Sequence, residues 1–171
     1  DSLGIYTSPR VWWMFKSMGH NKVAVLDGGL PEWVKKGFET EPKEAKTYEI
    51  GNFEAKLKPS NVKFYENILS NISTKDAVLI DVRSKGRFDG TAPEPRKDLK
   101  SGHIRSSKSI PYKNVLENGR YKSLEQLKDL FAERELGNEY LIFSCGSGIT
   151  ACIVLLASVL VLENRKSVYD G

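Results

Sequence analysis

Cysteine, histidine and methionine are nearly missing from this 171-residue chain, with two of each. The two cysteines, Cys145 and Cys152, make no disulfide framework, and they fit a reducing compartment better than secretion. With no CxxC pair and so few histidines, no zinc site is expected. Long hydrophobic runs are missing as well. The longest, residues 153–162, is interrupted by Ser158 and falls short of a membrane span, so no membrane partner is expected. Nor does one sign of charge dominate: the net charge of +4 is spread over scattered lysines and arginines, which argues against a nucleic-acid surface. No Met, charged leader or signal pattern opens the chain at Asp1, so the sequence is expected to begin partway through a longer protein. What remains is an ordinary apolar and charged mixture, enough for one sizeable core and part of a second.

Against that background Cys145 stands out. In Glu139-Tyr-Leu-Ile-Phe-Ser-Cys-Gly-Ser-Gly-Ile-Thr-Ala-Cys152 a short apolar run ends, a glycine-rich turn follows and a long apolar stretch begins. A strand would deliver the thiol to the mouth of a loop. Gly146 and Gly148 would let backbone N–H groups turn inward, and a helix starting near Ile149 would add its positive end. Each effect favours thiolate, the nucleophilic form. The alternative is that Cys145 is a small buried residue at a strand end. Cys152, seven residues on and within the helix, reads as core rather than as a resolving thiol.

The chain also repeats itself. Asp1-Ser-Leu-Gly-Ile-Tyr6 aligns with Cys145-Gly-Ser-Gly-Ile-Thr150, and Val23-Ala-Val-Leu-Asp-Gly28 aligns with Lys166-Ser-Val-Tyr-Asp-Gly171. Matching loops, helices and Asp-Gly steps point to two copies of one supersecondary unit. The first lacks its front half, and the second stops where the counterpart of Gly29-Leu-Pro-Glu-Trp33 should begin. Only the second copy is armed, because Asp1 stands where Cys145 stands and cannot carry sulfur. The first copy would shape a cleft between the two.

Local signals place the elements. Ser8-Pro9 starts a helix that Gly19 closes near Met18, residues 23–26 read as a buried strand, and residues 31–36 as a short helix. A polar stretch, residues 38–59, reads as a linker and an incoming strand, with the domain boundary near Lys46. Ser60 reads as the cap of a helix to about Ile72, residues 77–82 as a strand, and Ser123-Leu-Glu-Gln126 as a capping box for a helix to about Glu133. Residues 140–144 and 167–169 complete a strand–helix alternation. The expected class is α/β, an open parallel sheet with helices on both faces. Trp12, Trp13, Phe15 and Trp33 are expected to pack the first copy and its interface.

A second constellation precedes the cysteine. Arg83 follows the strand, Arg87 lies in Gly86-Arg-Phe88, and Arg96 ends the proline-stiffened Gly90-Thr-Ala-Pro-Glu-Pro-Arg96. Ligands of open α/β sheets bind beyond the carboxyl ends of the strands, the side on which these arginines and Cys145 fall. Guanidinium groups grip carboxylates with paired hydrogen bonds, which points to a small anionic substrate. Each has a plainer reading: Arg83 as a buried ion pair with Asp81, Glu66 or another acid, Arg87 and Arg96 as solvated loop charges. His103 reads as a loop hydrogen-bonder rather than a base.

Together Cys145-Gly-Ser-Gly-Ile-Thr-Ala151, Asp81-Val-Arg-Ser-Lys-Gly-Arg-Phe88, Pro93-Glu-Pro-Arg96, Ser101-Gly-His-Ile104 and Val23-Ala-Val-Leu-Asp-Gly-Gly-Leu-Pro-Glu-Trp33 resemble the two-domain rhodanese-like sulfurtransferases, in particular their 3-mercaptopyruvate branch. The resemblance runs end to end. It implies a tandem rhodanese-like fold with the first copy truncated, residues 1–46 belonging to a non-catalytic domain and linker and residues 47–171 to a catalytic domain without its closing segment. It implies a cofactor-free persulfide relay: Cys145 takes sulfur from 3-mercaptopyruvate, pyruvate leaves, and the sulfur passes to thioredoxin, another thiol or cyanide. Arg87 and Arg96 would hold the substrate carboxylate and keto group, and Ser147 would assist proton transfer. Gly146, Gly148, Ile149 and Thr150 would line the substrate and offer N–H groups to the sulfur anion, with Arg83 and Asp81 in support. Thiosulfate-using relatives place cations after the cysteine, whereas Gly146 and Ser147 are neutral, so thiosulfate is expected to be the poorer donor. Related phosphatases need a longer loop ending in arginine, where this chain has Ala151. A thiosulfate:cyanide sulfurtransferase and a non-enzymatic sulfur-carrying module stay open as alternatives. The family also draws an acid and a histidine from a segment ahead of Asp1, so residues 1–171 alone are expected to be weakly active or inactive. Lysine-rich composition favours a cytoplasmic location, or a mitochondrial one if a transit peptide precedes Asp1.

Overall fold

The computed structural model describes residues 1–41, 47–96 and 99–170. In chain order its elements are α1 (Ser8–Ser17), α2 (Gly29–Lys35), β1 (Val62–Lys63), α3 (Tyr65–Thr74), β2 (Ala77–Asp81), α4 (Lys85–Asp89), β3 (Lys108–Ser109), β4 (Leu116–Glu117), β5 (Arg120–Tyr121), α5 (Leu124–Ala132), β6 (Tyr140–Ser144), α6 (Ile149–Val159) and β7 (Lys166–Tyr169). Five strands form one parallel sheet in the order β1-β7-β6-β2-β3. Strands β2 and β6 are nearly continuous apolar runs, as expected of strands covered on both faces. Their register sets Asp81 opposite Ser144 at the carboxyl edge, so Arg83 and Cys145 leave the sheet side by side.

Side-chain alternation divides the core. Leu79 and Ile142 point to one face, where Ile68 of α3 covers them. Ile80, Leu141, Phe143 and Val168 point to the other and meet α6, whose residues from Ala151 to Ser158 are all buried. This explains why α6 is apolar all round. Its one buried hydroxyl, Ser158 Oγ, donates to the Leu155 carbonyl at 2.7 Å. Burying each large aliphatic or aromatic side chain here stabilises the fold by about 1.5–3 kcal/mol. Helix α1 packs against α6, with Trp13 buried and its Nε1 donating to the Asn61 carbonyl at 3.3 Å.

Most expected elements stand within a residue or two of their places. Helix α1 carries Pro9 in its first turn, and α5 has both halves of its capping box, Gln126 N–H to Ser123 Oγ and Ser123 N–H to Gln126 Oε1. Four expectations need correction. Residues 23–26 are not a strand, because no described strand lies beside them to accept their ladder. Described residues between 38 and 58 form no strand either, and the boundary expected near Lys46 lies outside the described residues. The helix expected from Ser60 begins at Tyr65: Pro59–Asn61 is a single 3₁₀ turn, β1 follows, and Asn67 Oδ1 accepts the Phe64 N–H to start α3. Phe15 and Trp33 stay outside the core: Phe15 touches only His20 among the described rings, Trp33 tilts against Phe38 with its Nε1 donating to the Glu39 carbonyl, and both remain exposed. Elements not foreseen are β1, β3, α4 and the β4–β5 hairpin. The hairpin turns through Asn118 and Gly119, both at positive φ, a two-residue connection that matches strand twist.

Candidate active site

Cys145 leaves β6 half-buried and heads a loop whose shape comes from glycine. Gly148 adopts φ +72° and caps α6, a conformation that costs an L side chain about 1–2 kcal/mol. The turn brings the Ser147 N–H to within 3.5 Å of Cys145 Sγ, a weak donor contact to the sulfur. Ser147 is exposed; Gly146, Ile149 and Thr150 are half-buried. Cys152, four residues into α6, is fully buried, and its thiol donates to the Gly148 carbonyl at 3.1 Å. Burial pushes this thiol up to about 12, which leaves it protonated and inert at neutral pH.

The three arginines take different duties. Arg83 Nε lies 3.0 Å from Asp81 Oδ1, its Nη2 donates to Asp81 Oδ2 and to the Gly102 carbonyl at 2.6 Å, and its Nη1 reaches Glu94 at 2.9 Å. The Asp81 carboxylate raises the Arg83 guanidinium above its usual range and keeps it charged. The pair is the buried structural one, with Glu94 rather than Glu66 as the second acid. Arg87 grips Glu94 from the other side, with Nη2 2.5 Å from Oε2 and Nε 3.1 Å from the same oxygen. Glu94, 3% exposed, is thus held between two guanidinium groups, and Arg87 keeps its carboxyl below the ordinary carboxylate range. Arg87 Nη2 also lies 3.4 Å from where a Cβ on Gly146 would stand. Arg96, in contrast, is exposed and donates from Nη2 to the Gly146 carbonyl at 2.9 Å, so its charge is uncompensated by any described acid. His103 stacks on Phe88 at 3.8 Å and hydrogen-bonds the Phe88 carbonyl through Nδ1, a loop-fixing position.

Two cavities flank this ridge and share Arg83, Arg87, Arg96 and Gly146. One, of about 420 Å³, reaches Cys145, Lys100 and His103. The other, of about 530 Å³, reaches Ser147, Thr150, Tyr112, Lys113 and, from the first copy, Tyr6. Of the sequence-derived residues, Arg87, Arg96 and Gly146 line both cavities, Cys145 the first and Ser147 and Thr150 the second, whereas Gly148 and Ile149 line neither. Glu94, Tyr6, Tyr112 and Lys113 were not singled out from the sequence. Glu94 carries a signal in retrospect, an acid between two prolines in an arginine-rich loop; the tyrosines and Lys113 carry none without the fold.

The first copy rebuilds the same loop around a carboxylate. Asp1 accepts N–H groups from Leu3, Tyr6, Thr7 and Ser8 at 2.5–3.1 Å, and Leu3 occupies the position that Ser147 holds relative to Cys145. Gly4 at φ +81° matches Gly148. One loop shape thus surrounds an oxygen anion in one copy and a sulfur in the other.

The Rhodanese-like domain model matches residues 65–171. The chain belongs to the rhodanese-like sulfurtransferase family. This rhodanese-like chain is 41% identical over 170 residues to the 3-mercaptopyruvate sulfurtransferase of Mus musculus, covering 98% of the chain and 57% of that protein. It is also 41% identical over 174 residues to the thiosulfate sulfurtransferase of Rattus norvegicus, covering 100% of the chain and 58% of that protein. It therefore spans a little under three-fifths of these relatives' length. Its fold matches the crystal structure of SseA, a 3-mercaptopyruvate sulfotransferase from Escherichia coli, with a TM-score of 0.84 at 31% identity, over 97% of the chain and 62% of that protein. The Tum1 protein of Saccharomyces cerevisiae gives 0.85 at 26% identity, over 99% of the chain and 62% of that protein. The α/β rhodanese fold read from the sequence is this one.

Proposed function

We propose that this rhodanese-like protein transfers sulfur from 3-mercaptopyruvate through a persulfide on Cys145. The observation that carries the reading is Arg96, which pairs with no described acid and is anchored on the Gly146 carbonyl beside Cys145, with Arg87 lining the same cavity. Cys145 Sγ, as thiolate, forms an S–S bond to the donor sulfur. The donor's C–S bond breaks, and its electron pair becomes the enolate of pyruvate, which takes up a proton. Ser147, exposed beside the nucleophile, handles that proton, Arg96 and Arg87 hold the carboxylate and keto group, and Thr150 and Ile149 close the loop side. Arg83 and Asp81 act in support by fixing Glu94 and the arginine loop. Loop N–H groups such as that of Ser147 stabilise the persulfide anion. A thiol, thioredoxin among them, or cyanide then takes the outer sulfur and returns the thiolate. Residues 1–46 supply the back of the non-catalytic copy and residues 47–171 the catalytic copy.

Thiosulfate as donor is the second reading, supported by the equal identity to the rat thiosulfate sulfurtransferase. Mass spectrometry after incubation with mercaptopyruvate tests the first. One added sulfur atom on Cys145 is expected, with pyruvate released. An unchanged mass, or full turnover by Cys145→Ser, overturns it; no added sulfur and no turnover with either donor leaves a non-catalytic rhodanese-like module.

A further inference from the structure

The charges around the larger cavity do not balance. Arg83 and Arg87 are each matched by a carboxylate, Asp81 and Glu94. Two cations remain. Arg96 spends one N–H on the neutral Gly146 carbonyl. Lys113 lines the cavity from the 3₁₀ turn Tyr112–Val115, and among the described residues its ammonium has no hydrogen-bond or ion-pair partner. Five hydroxyl-bearing residues, Tyr6, Ser84, Tyr112, Ser147 and Thr150, line the same space, and none of their hydroxyls has a described partner.

A single carboxylate needs one of these cations; a bidentate guanidinium serves it. The second cation fits a donor whose departing group brings another negative charge. Residues 146 and 147, which follow the nucleophile in the chain, are neutral, so the loop itself offers no such charge. The turn after Pro111 supplies it from another part of the fold.

We propose that Lys113 is a specificity residue, which raises the efficiency of dianionic sulfur donors at the Cys145 site. The proposal rests on the sulfur-transfer reading above. With thiosulfate as the probe, Cys145 Sγ bonds to the outer sulfur, the thiosulfate S–S bond breaks, and sulfite departs with the electron pair. No proton or oxidant is required. Lys113 stabilises the sulfite as its charge separates from the persulfide, while Arg96 holds its oxygens. Being exposed, the ammonium acts through a field that salt screens.

The test measures kcat/KM for thiosulfate and for 3-mercaptopyruvate, with cyanide as acceptor and thiocyanate as readout, in the full-length protein and its Lys113→Gln and Lys113→Arg variants. The expected result is a drop of about fivefold in the thiosulfate-to-mercaptopyruvate ratio for Lys113→Gln, the size an exposed charge supports. Lys113→Arg restores the ratio. In the unmodified protein the ratio falls toward that of Lys113→Gln near 1 M salt, where screening acts over about 3 Å. A ratio unchanged by Lys113→Gln overturns the proposal, as does absence of thiosulfate turnover in the unmodified protein. If Cys145 gains no sulfur from mercaptopyruvate, the function proposed above fails instead, and Lys113 is judged on thiosulfate efficiency alone.

Discussion

Arg10 of α1 and Asp170 at the end of β7 are joined by two hydrogen bonds of 2.9 and 3.0 Å directly behind Gly148. A Cβ on Gly148 would stand 2.5 Å from Arg10 Nη1 and 2.8 Å from Asp170 Oδ1. The guanidinium also lies over Trp13 at 4.5 Å. A residue of α1 thus backs the loop that follows Cys145. The reverse contact exists too: the hairpin carbonyl of Gly119 accepts the Ile5 N–H at 2.9 Å, and Asp27 accepts the Tyr121 N–H at 3.0 Å and the Arg120 Nε–H at 3.1 Å. Packing of residues 1–27 on the rest of the chain and the shape of the cysteine loop are one mechanical problem.

Gly148→Ala should therefore lose sulfur transfer by about a hundredfold or more, through left-handed strain and collision with the ion pair together. Arg10→Ala should destabilise the protein by about 1–2 kcal/mol, a charged hydrogen-bonded pair discounted for partial exposure. Persulfide formation should slow more than donor KM rises, because the loop and not the arginine clamp is loosened. Thermal denaturation and single-turnover kinetics measure the two effects.

Glu94 offers a pH handle. Its carboxyl is depressed chiefly by Arg87, so it contributes stability above the unfolded glutamate value of about 4.3 and loses that contribution as pH falls through its lower folded value. Unfolding free energy should thus fall on acidification below about pH 4, and Glu94→Gln should flatten that part of the profile. At neutral pH the same substitution leaves Arg87 without its acid and should cost about 3 kcal/mol. Denaturant titrations across pH 3–7 check both.

Strands β2 and β6 and helix α6 were legible because each is a predominantly apolar segment with a clear stop, five residues long in the strands and eleven in the helix. The gathering of Cys145 with Arg87 and Arg96 was legible because all three follow strand ends on one edge of a parallel sheet. Residues 23–26 misled because an apolar run reports burial potential, and pairing depends on a neighbour that is not among the described strands. Ser60 misled because Pro59 and Ser60 fit a 3₁₀ turn as well as a helix start, and only the parallel partner Val168 draws Val62 into β1. The Asn118-Gly119 dipeptide was a readable hairpin signal between strands too short to notice. Glu94 and Lys113 stayed hidden because their significance depends on which charges are already matched, and that is a property of space rather than of spacing.

The Asp1 cradle makes a separate prediction. Four N–H groups converge on its carboxylate, so Asp1→Ala in the full-length protein should leave them without that acceptor and cost about 1–3 kcal/mol. Asp1→Asn should retain part of this, since its amide oxygen still accepts. The cost should appear in the melting temperature and only weakly in donor kcat/KM, because Asp1 lines neither cavity beside Cys145.

The two thiols should separate cleanly by reactivity. Cys145 is half-buried at a cavity mouth, whereas Cys152 is sealed in α6, donates to the Gly148 carbonyl and titrates at about 12 because burial disfavours its thiolate. Iodoacetamide at pH 8 should add a single carbamidomethyl group, on Cys145, and abolish sulfur transfer. Labelling of Cys152 should wait for denaturant and then follow global unfolding. Cys152→Ala should keep most activity, and by removing one buried sulfur it should cost about 1 kcal/mol. Peptide mapping at increasing denaturant distinguishes this order from simultaneous labelling, which would place Cys152 outside the core and detach it from the wall beneath the active loop.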